Sequence, residues 1–296
     1  MKILFVTSNR LGDAVLSTGL LDHLIHTHPD ARITVVCGPV AEGVFARMPN
    51  RDRIIILRKQ KWGLHWLPLW VRTATRLWDL IVDIRGSALS WLVPTRRRAV
   101  FRRMNGPKIA QLGAILGLSP PPRPVVWFAK ADRDHVADFV QTDRPIIVLA
   151  PTANWQPKVW PSERFAEAFQ RLSSLFPDAL PVVLGGPGPA ERAIAAPLLT
   201  ALPQARELLG ALTLPEAAAL LQRASLFIGN DSGLMHLSAA AGAPTIGLFG
   251  PTDANTYGPT GRLATAVVGV SMEAITVQQV VEAGQQLLAS KARTTA

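Results

Sequence analysis

The stretch Leu226-Phe227-Ile228 runs into Gly229-Asn230-Asp231-Ser232-Gly233-Leu234-Met235-His236-Leu237 and then into alanines. It constrains the fold more than any other segment. Three apolar residues give way to a polar turn, and the turn opens a helix-forming run. Asp231 or Ser232 can cap that helix, and Gly233 lets the chain enter it tightly. A short apolar strand leading straight into a helix belongs to a parallel α/β sheet. The start of such a helix also holds anions, because its first N–H groups lack partners and the helix dipole is positive there. A Ser hydroxyl and a His ring lie within reach. An ordinary capped helix has the same pattern, so the remainder of the chain has to decide between the two readings.

The same grammar recurs along the sequence. Residues 3–7 read as a strand, 14–27 as a helix and 33–36 as the next strand, one βαβ unit. Strand-like runs at 54–57 and 80–83 continue it. Ser119-Pro120-Pro121-Pro122-Arg123-Pro124 reads as a linker, since prolines at this density continue neither a helix nor a central strand. A second series follows, with strands at 146–149, 181–184, 226–228 and 245–249, helices at 162–176 and 190–199, and a final helix at about 277–291. At 296 residues the chain accommodates two α/β halves, placed at 1–140 and 141–296 and facing one another, with ligands outside the carboxyl ends of the strands.

Charge divides unevenly between these halves. Residues 1–140 hold 21 Lys and Arg against 10 Asp and Glu, whereas residues 141–296 hold 10 against 11. The densest part is Arg96-Arg97-Arg98, followed by Arg102, Arg103 and Lys108. Arginine clusters suit phosphate and carboxylate groups, so nucleic acid, anionic lipid or a phosphorylated saccharide would fit the first half, and a solvated basic face is the plain alternative. RNA is disfavoured, because the aromatic-interleaved motifs of the common RNA modules are absent. Residues 62–78 combine Trp66, Leu67, Trp70, Leu77 and Trp78 with Arg72 and Arg76, the composition of a helix that either touches a membrane surface or packs on the core. No apolar run reaches the length of a membrane span and the first residues read as a strand, which predicts a cytoplasmic protein. Cys37, alone in the sequence, reads as a small buried apolar residue.

Four strand-to-helix loops carry the candidate chemistry. In Arg10-Leu11-Gly12-Asp13, Asp13 is either an N-cap or a general base toward a hydroxyl. In the loop from Pro151 to Pro161, Lys158 is either a solvated charge or the partner of a diphosphate, with Thr152 donating beside it. The turn Gly185-Gly186-Pro187-Gly188 lacks both the dinucleotide fingerprint and the P-loop ending, and Glu191 after it is a first-turn acid or a receiver of ribose hydroxyls. The fourth loop is the Asp231-Ser232 turn, with His236 either packed in its helix or touching phosphate. No metal-ligand spacing is present and the glycine turn lacks a cofactor fingerprint, so neither a metal nor a cofactor is expected, and without a nucleophile elbow a hydrolase reading weakens.

Taken in order, Arg10-Leu11-Gly12-Asp13, Lys158-Val159-Trp160-Pro161, Gly185-Gly186 with Glu191, and 229–237 with Gly247-Leu248-Phe249-Gly250-Pro251-Thr252 resemble glycosyltransferase family nine. These are the bacterial ADP-heptose:lipopolysaccharide heptosyltransferases. The resemblance implies a GT-B fold: two Rossmann-like domains across a cleft, acceptor on the first, nucleotide-sugar on the second, and the last helix returning to the first. It implies inverting, metal-independent transfer to a Kdo-bearing lipid A or a heptose-extended inner core, at the cytoplasmic face of the inner membrane. Asp13 would be the base. Lys158, Ser232, the Gly233 and Leu234 amides and His236 would hold the diphosphate, with Asp231 by the sugar and Glu191 by the ribose; Thr152 keeps its place as a donor beside Lys158. Arg10, Arg96, Arg97, Arg98, Arg102 and Arg103 would meet the anionic acceptor. A nucleotide-sugar epimerase of the same architecture, a family member with another donor or acceptor, and a non-catalytic binder of anionic lipid are the alternatives.

Overall fold

The computed structural model describes residues 1–58 and 60–295, with side chains described up to 290. It divides into two compact units, Met1–Trp127 and Phe128–Ala296.

The first unit contains β1 (Lys2–Val6), α1 (Leu11–Thr27), β2 (Arg32–Cys37), β3 (Arg51–Ile56), α2 (Trp66–Ala74), β4 (Trp78–Asp83), α3 (Leu89–Leu92), β5 (Thr95–Val100) and α4 (Lys108–Gly113). Its strands form one sheet in the order β3-β2-β1-β4-β5, every pair parallel. A parallel sheet needs cover on both faces, and the run Ile3-Leu4-Phe5-Val6 is accordingly fully buried.

Three features differ from the sequence reading. Helix α1 begins at Leu11 with Arg10 at its N-cap, so Asp13 lies inside the first turn and caps nothing. Residues 62–78 are not one helix: a short turn at Lys61–Gly63 precedes α2, and Trp78 is a buried residue of β4. The arginine triplet forms an edge strand, β5, whose charges disguise it in sequence and guard the sheet edge. Strand alternation then sends Arg96 and Arg98 to one face and Arg97 to the other.

The proline segment is also no free linker. The Val125 amide donates to Thr18 Oγ1 at 2.9 Å, and the chain passes so close to α1 that a Cβ on Gly19 would lie 2.5 Å from the Pro122 carbonyl oxygen. It straps the first unit.

The second unit contains α5 (Lys130–Phe139), β6 (Ile146–Ala150), α6 (Ser162–Leu172), β7 (Leu180–Gly185), α7 (Pro189–Ala201), β8 (Arg206–Leu209), α8 (Leu214–Arg223), β9 (Leu226–Asn230), α9 (Gly233–Ala241), β10 (Thr245–Phe249), α10 (Ala254–Tyr257), β11 (Ala264–Val268) and α11 (Val277–Thr295). Helix α5 packs on α8, with His135 Nδ1 2.5 Å from Glu216 Oε1, which draws the unit boundary toward the N-terminus of residue 140. The six strands run parallel in the order β11-β10-β9-β6-β7-β8. Counted within the unit, this is the 3-2-1-4-5-6 order of a dinucleotide-binding sheet. Helix α11 packs along α6, where Gly284 approaches Leu172 and Val277, Val280, Val281 and Leu287 join the core.

Candidate functional site

Each sheet reverses its strand order once, between β1 and β4 in the first unit and between β6 and β9 in the second. Loops leaving the carboxyl ends of such strand pairs diverge, and ligands lodge between them. Both candidate sites lie at these points.

In the second unit the loop after β6 carries Lys158 and the turn after β9 carries Asp231. Asn230 ties the two together: its side-chain amide donates to the Pro151 carbonyl at 2.7 Å, and its Oδ1 accepts from the Trp160 amide at 3.1 Å. Trp160 anchors the far end of the loop, stacked edge-on against Phe165 and donating from its indole to the Ile275 carbonyl at 3.0 Å. So held, Lys158 Nζ reaches Asp231 Oδ2 at 2.5 Å, and Thr252 Oγ1 donates to the same oxygen at 2.8 Å. The lysine is neither solvated nor free; it is paired with a nearly buried carboxylate.

Ser232 occupies the N-cap of α9, but its side chain makes no capping bond. Its Oγ is buried and has no hydrogen-bond partner among the described residues. A buried hydroxyl left unbonded at the open N–H groups of a helix is a donor in want of an acceptor. His236 sits one turn further, 5% exposed. Asp231, the other sequence candidate for the cap, spends its carboxylate on Lys158 and Thr252. The glycine turn after β7 brings in two more of the expected residues: the Gly186 amide donates to Glu191 Oε2 at 3.2 Å, and Thr152 Oγ1 would lie 3.2 Å from a Cβ placed on Gly185. The loops and helix starts after β6, β7 and β9 gather Thr152, Lys158, Glu191, Asp231, Ser232 and His236 at the carboxyl ends of these strands.

In the first unit Asp13 sits in the first turn of α1, where Ser8 Oγ donates to its Oδ2 at 3.2 Å. Arg85, from the loop after β4, reaches Asn9 Oδ1 at 3.3 Å and lies 5.1 Å from the centroid of the Trp66 ring. Asp83 orders that loop. Fully buried, it accepts from the amides of Arg85 and Ser87 at 2.8 and 2.9 Å and from the hydroxyls of Ser87 and Ser90, both at 2.5 Å. Lys108 Nζ stands 4.1 Å from the Phe101 ring centroid; burial pulls its pKa down, and the negative charge of Asp13 draws it partly back. The basic residues of the first half are engaged in different ways. Arg96 lies 3.5 Å from Asp79, Arg98 donates to the Ser90 carbonyl at 2.7 Å, and Arg10, Arg102 and Arg103 are exposed. Sequence reasoning gave no role to Asn230, Asp83 or Arg85. Asn230 follows an apolar run and precedes a polar turn, the one local signal that could have found it.

Burial, followed by the charge of Glu42, pushes the Cys37 thiol up to about 12, in keeping with a small apolar residue. No cluster of metal-ligating side chains occurs among the described residues.

A family profile described as glycosyltransferase family 9 (heptosyltransferase) matches residues 95–284. The chain belongs to glycosyltransferase family 9. As a family 9 glycosyltransferase it is 25% identical to lipooligosaccharide heptosyltransferase 2 of Haemophilus influenzae over 94% of its own length and 92% of that protein. Its fold matches the solved structure of Escherichia coli ADP-heptose lps heptosyltransferase II with a TM-score of 0.79 at 21% identity, covering 99% of this chain and 100% of that one. The structure of E. coli heptosyltransferase WaaC with ADP matches with a TM-score of 0.75 at 20% identity, over 97% and 100%. The family 9 chain thus has the GT-B fold of paired Rossmann-like domains, and the epimerase alternative gives way to a transferase.

Proposed function

We propose that this glycosyltransferase moves a heptose from ADP-heptose to a hydroxyl of the lipopolysaccharide inner core, a Kdo-bearing lipid A or its heptose-extended form. The reading draws its donor and acceptor from the names of its relatives and its chemistry from the second unit. The observation that carries it is the buried, unbonded Ser232 hydroxyl at the start of α9, with the Lys158–Asp231 pair beside it. A departing ADP gains negative charge as the sugar bond breaks. Lys158, the Ser232 hydroxyl, the Gly233 and Leu234 amides and His236 are groups that neutralise or hydrogen-bond a diphosphate, and Thr152 adds a further donor. Those groups supply the stabilisation that makes the proposed reaction independent of a divalent ion. Asp231 would lie by the sugar and Glu191 by the ribose.

Asp13 is the proposed base. The acceptor oxygen attacks the anomeric carbon from the face opposite the phosphate, its proton passes to the Asp13 carboxylate, and the bond to the β-phosphate oxygen breaks to release ADP. Attack from the opposite face inverts the anomeric centre. Arg10, Arg96, Arg97, Arg98, Arg102 and Arg103, joined by Lys108, supply positive charge for the phosphates and carboxylates of the acceptor. The acceptor lipid places the enzyme at the cytoplasmic face of the inner membrane; no helix among the described residues is long and apolar enough to cross a membrane.

The test is ADP release from ADP-heptose with EDTA present, measured with and without Kdo-bearing lipid A. Release that requires the lipid supports the proposal. Release that is equal without it, or that needs an added divalent ion, contradicts the acceptor or the metal-independent part respectively.

A further inference from the structure

We propose that the face formed by α2, α3 and the turn before α2 docks on the surface of an anionic lipid bilayer. A folded chain ordinarily scatters its exposed large apolar residues, yet here they concentrate. Three of the five tryptophans between residues 62 and 91, Trp62, Trp70 and Trp91, are exposed. Trp62 is 95% exposed, Leu67 62%, Trp91 64% and Leu92 64%, and Leu64, Trp70 and Val71 are exposed as well. The two helices present one continuous surface, since the Trp70 indole donates to the Leu92 carbonyl at 2.9 Å. Burial is reserved for the other side of α2, where Leu69 and Thr73 face the core.

The charge around this surface identifies the partner. Residues 60–108 contain 10 Lys and Arg and only 2 Asp, a net of +8. Neither aspartate faces a ligand: Asp83 is fully buried under its own loop, and Asp79 accepts from the Lys2 amide and pairs with Arg96. The arginines are interleaved with the aromatics. Arg98 lies 5.4 Å from the Trp91 ring centroid, and Arg85 lies over Trp66. Indole rings and short aliphatic side chains backed by arginine suit the headgroup boundary of a negatively charged bilayer, where the rings sit at the apolar edge and the cations meet phosphate. Nucleic acid would satisfy the arginines and leave Leu64, Leu67, Val71 and Leu92 in water.

This surface deepens the reading of a membrane-borne acceptor, and its test needs neither donor nor acceptor. Full-length protein is floated with vesicles of phosphatidylethanolamine and phosphatidylglycerol, and separately with phosphatidylcholine alone. The expected result is flotation with the anionic vesicles only, weakened as salt rises. The triple variant Trp62→Ser, Leu67→Ser, Trp91→Ser should lose about tenfold or more in vesicle partitioning, at an unchanged thermal midpoint and ADP affinity. Val270→Ser, at a 94% exposed apolar residue of the second unit, should float like the wild type. Wild-type protein that stays in the aqueous layer, or a triple variant that floats equally well, overturns the proposal. So does a concentration-dependent dimer that the same three substitutions abolish, which would make the face a contact between copies. ADP release measured with a delipidated acceptor separates the two readings: turnover without flotation removes the docking surface alone, and flotation without turnover removes the transferase assignment alone.

Discussion

Lys158 and Asp231 are 73 residues apart in sequence and 2.5 Å apart in space, joined at the point where the second sheet reverses its strand order. The pair stores a cation beside an open helix N-terminus without leaving it unneutralised in the free protein. A diphosphate that enters there competes with Asp231 for the lysine. Two substitutions separate the roles. Lys158→Met should weaken ADP binding and lower turnover by about 100-fold, the scale seen when one donor to a developing anion is removed. Asp231→Asn releases the lysine, so ADP should bind as tightly as before or more tightly while turnover falls. Calorimetric ADP titration alongside steady-state rates checks both. Equal weakening of ADP by the two variants would mean that the pair only braces the loop.

Asp13→Asn should reduce turnover by about 100-fold to 10,000-fold, the usual contribution of a positioned base. Donor affinity should not change, because the residue lies on the first unit. A variant that keeps full turnover would return Asp13 to a first-turn residue favourable to the helix dipole and nothing more.

Lys108 tests the acceptor side. It is half-buried against Phe101, and Asp13 is the charge that offsets its burial. Lys108→Met keeps the aliphatic stem and removes the cation. The acceptor KM should rise about tenfold, the scale of one lost charge-assisted contact, with the affinity for ADP unchanged. An unchanged acceptor KM assigns the lysine to packing.

Much of this arrangement was legible in the sequence. The strands that lie inside the two sheets are unbroken apolar runs bounded by glycine, proline or polar turns, so their positions could be read to within a few residues. Edge strands fared unevenly: β3 was read at 54–57, whereas β5, β8 and β11 were not. Arg96-Arg97-Arg98 in β5 and Arg206-Glu207 in β8 have one side open to water and carry its charges, which hides the alternation that marks a strand. The start of α1 was misread because Asp13 has the chemistry of a cap, although helical geometry already begins at Leu11. Loop residues could be named, but their pairing could not: nothing in the local sequence of Lys158 points to Asp231, which the order of the strands brings beside it. The buried anchors, Asp83 and Asn230, were passed over as well, since each acts on backbone that the topology brings to it.

The proline strap gives a stability prediction. A methyl group on Gly19 would meet the Pro122 and Arg123 carbonyl oxygens at 2.5 and 2.7 Å, and backbone on both sides cannot easily give way. Gly19→Ala should cost about 1–3 kcal/mol, the range of overpacked cores, and Gly19→Val more. Chemical denaturation of the two variants checks the order. A neutral Gly19→Val would show that the strap moves freely.

The contact between α5 and α8 predicts a pH dependence. The hydrogen bond that His135 donates to Glu216 raises the histidine pKa above its ordinary value, more than burial lowers it. For Glu216, burial pushes the pKa up, and the bonds from His135 and Thr213 outweigh it and leave it below 4.5. A raised histidine stabilises the fold below its unfolded pKa and loses that contribution as pH climbs through the folded one. A lowered carboxylate contributes above its unfolded pKa and loses it as pH falls through the folded one. The pair therefore contributes fully between about pH 4.5 and 6.5. The thermal midpoint of the wild type should fall relative to His135→Gln as pH rises from 6 to 9. Parallel profiles for the two proteins would contradict this.

The account turns on transfer of a sugar to the lipid itself. The direct measurement is the mass of Kdo-bearing lipid A after incubation with the purified chain and ADP-heptose. A gain of one heptose per lipid, with ADP released in equal amount and both changes slowed by about 100-fold or more with Asp13→Asn, is the predicted result. A lipid of unchanged mass with the donor consumed, or with ADP-heptose failing to bind the protein at all, would contradict it.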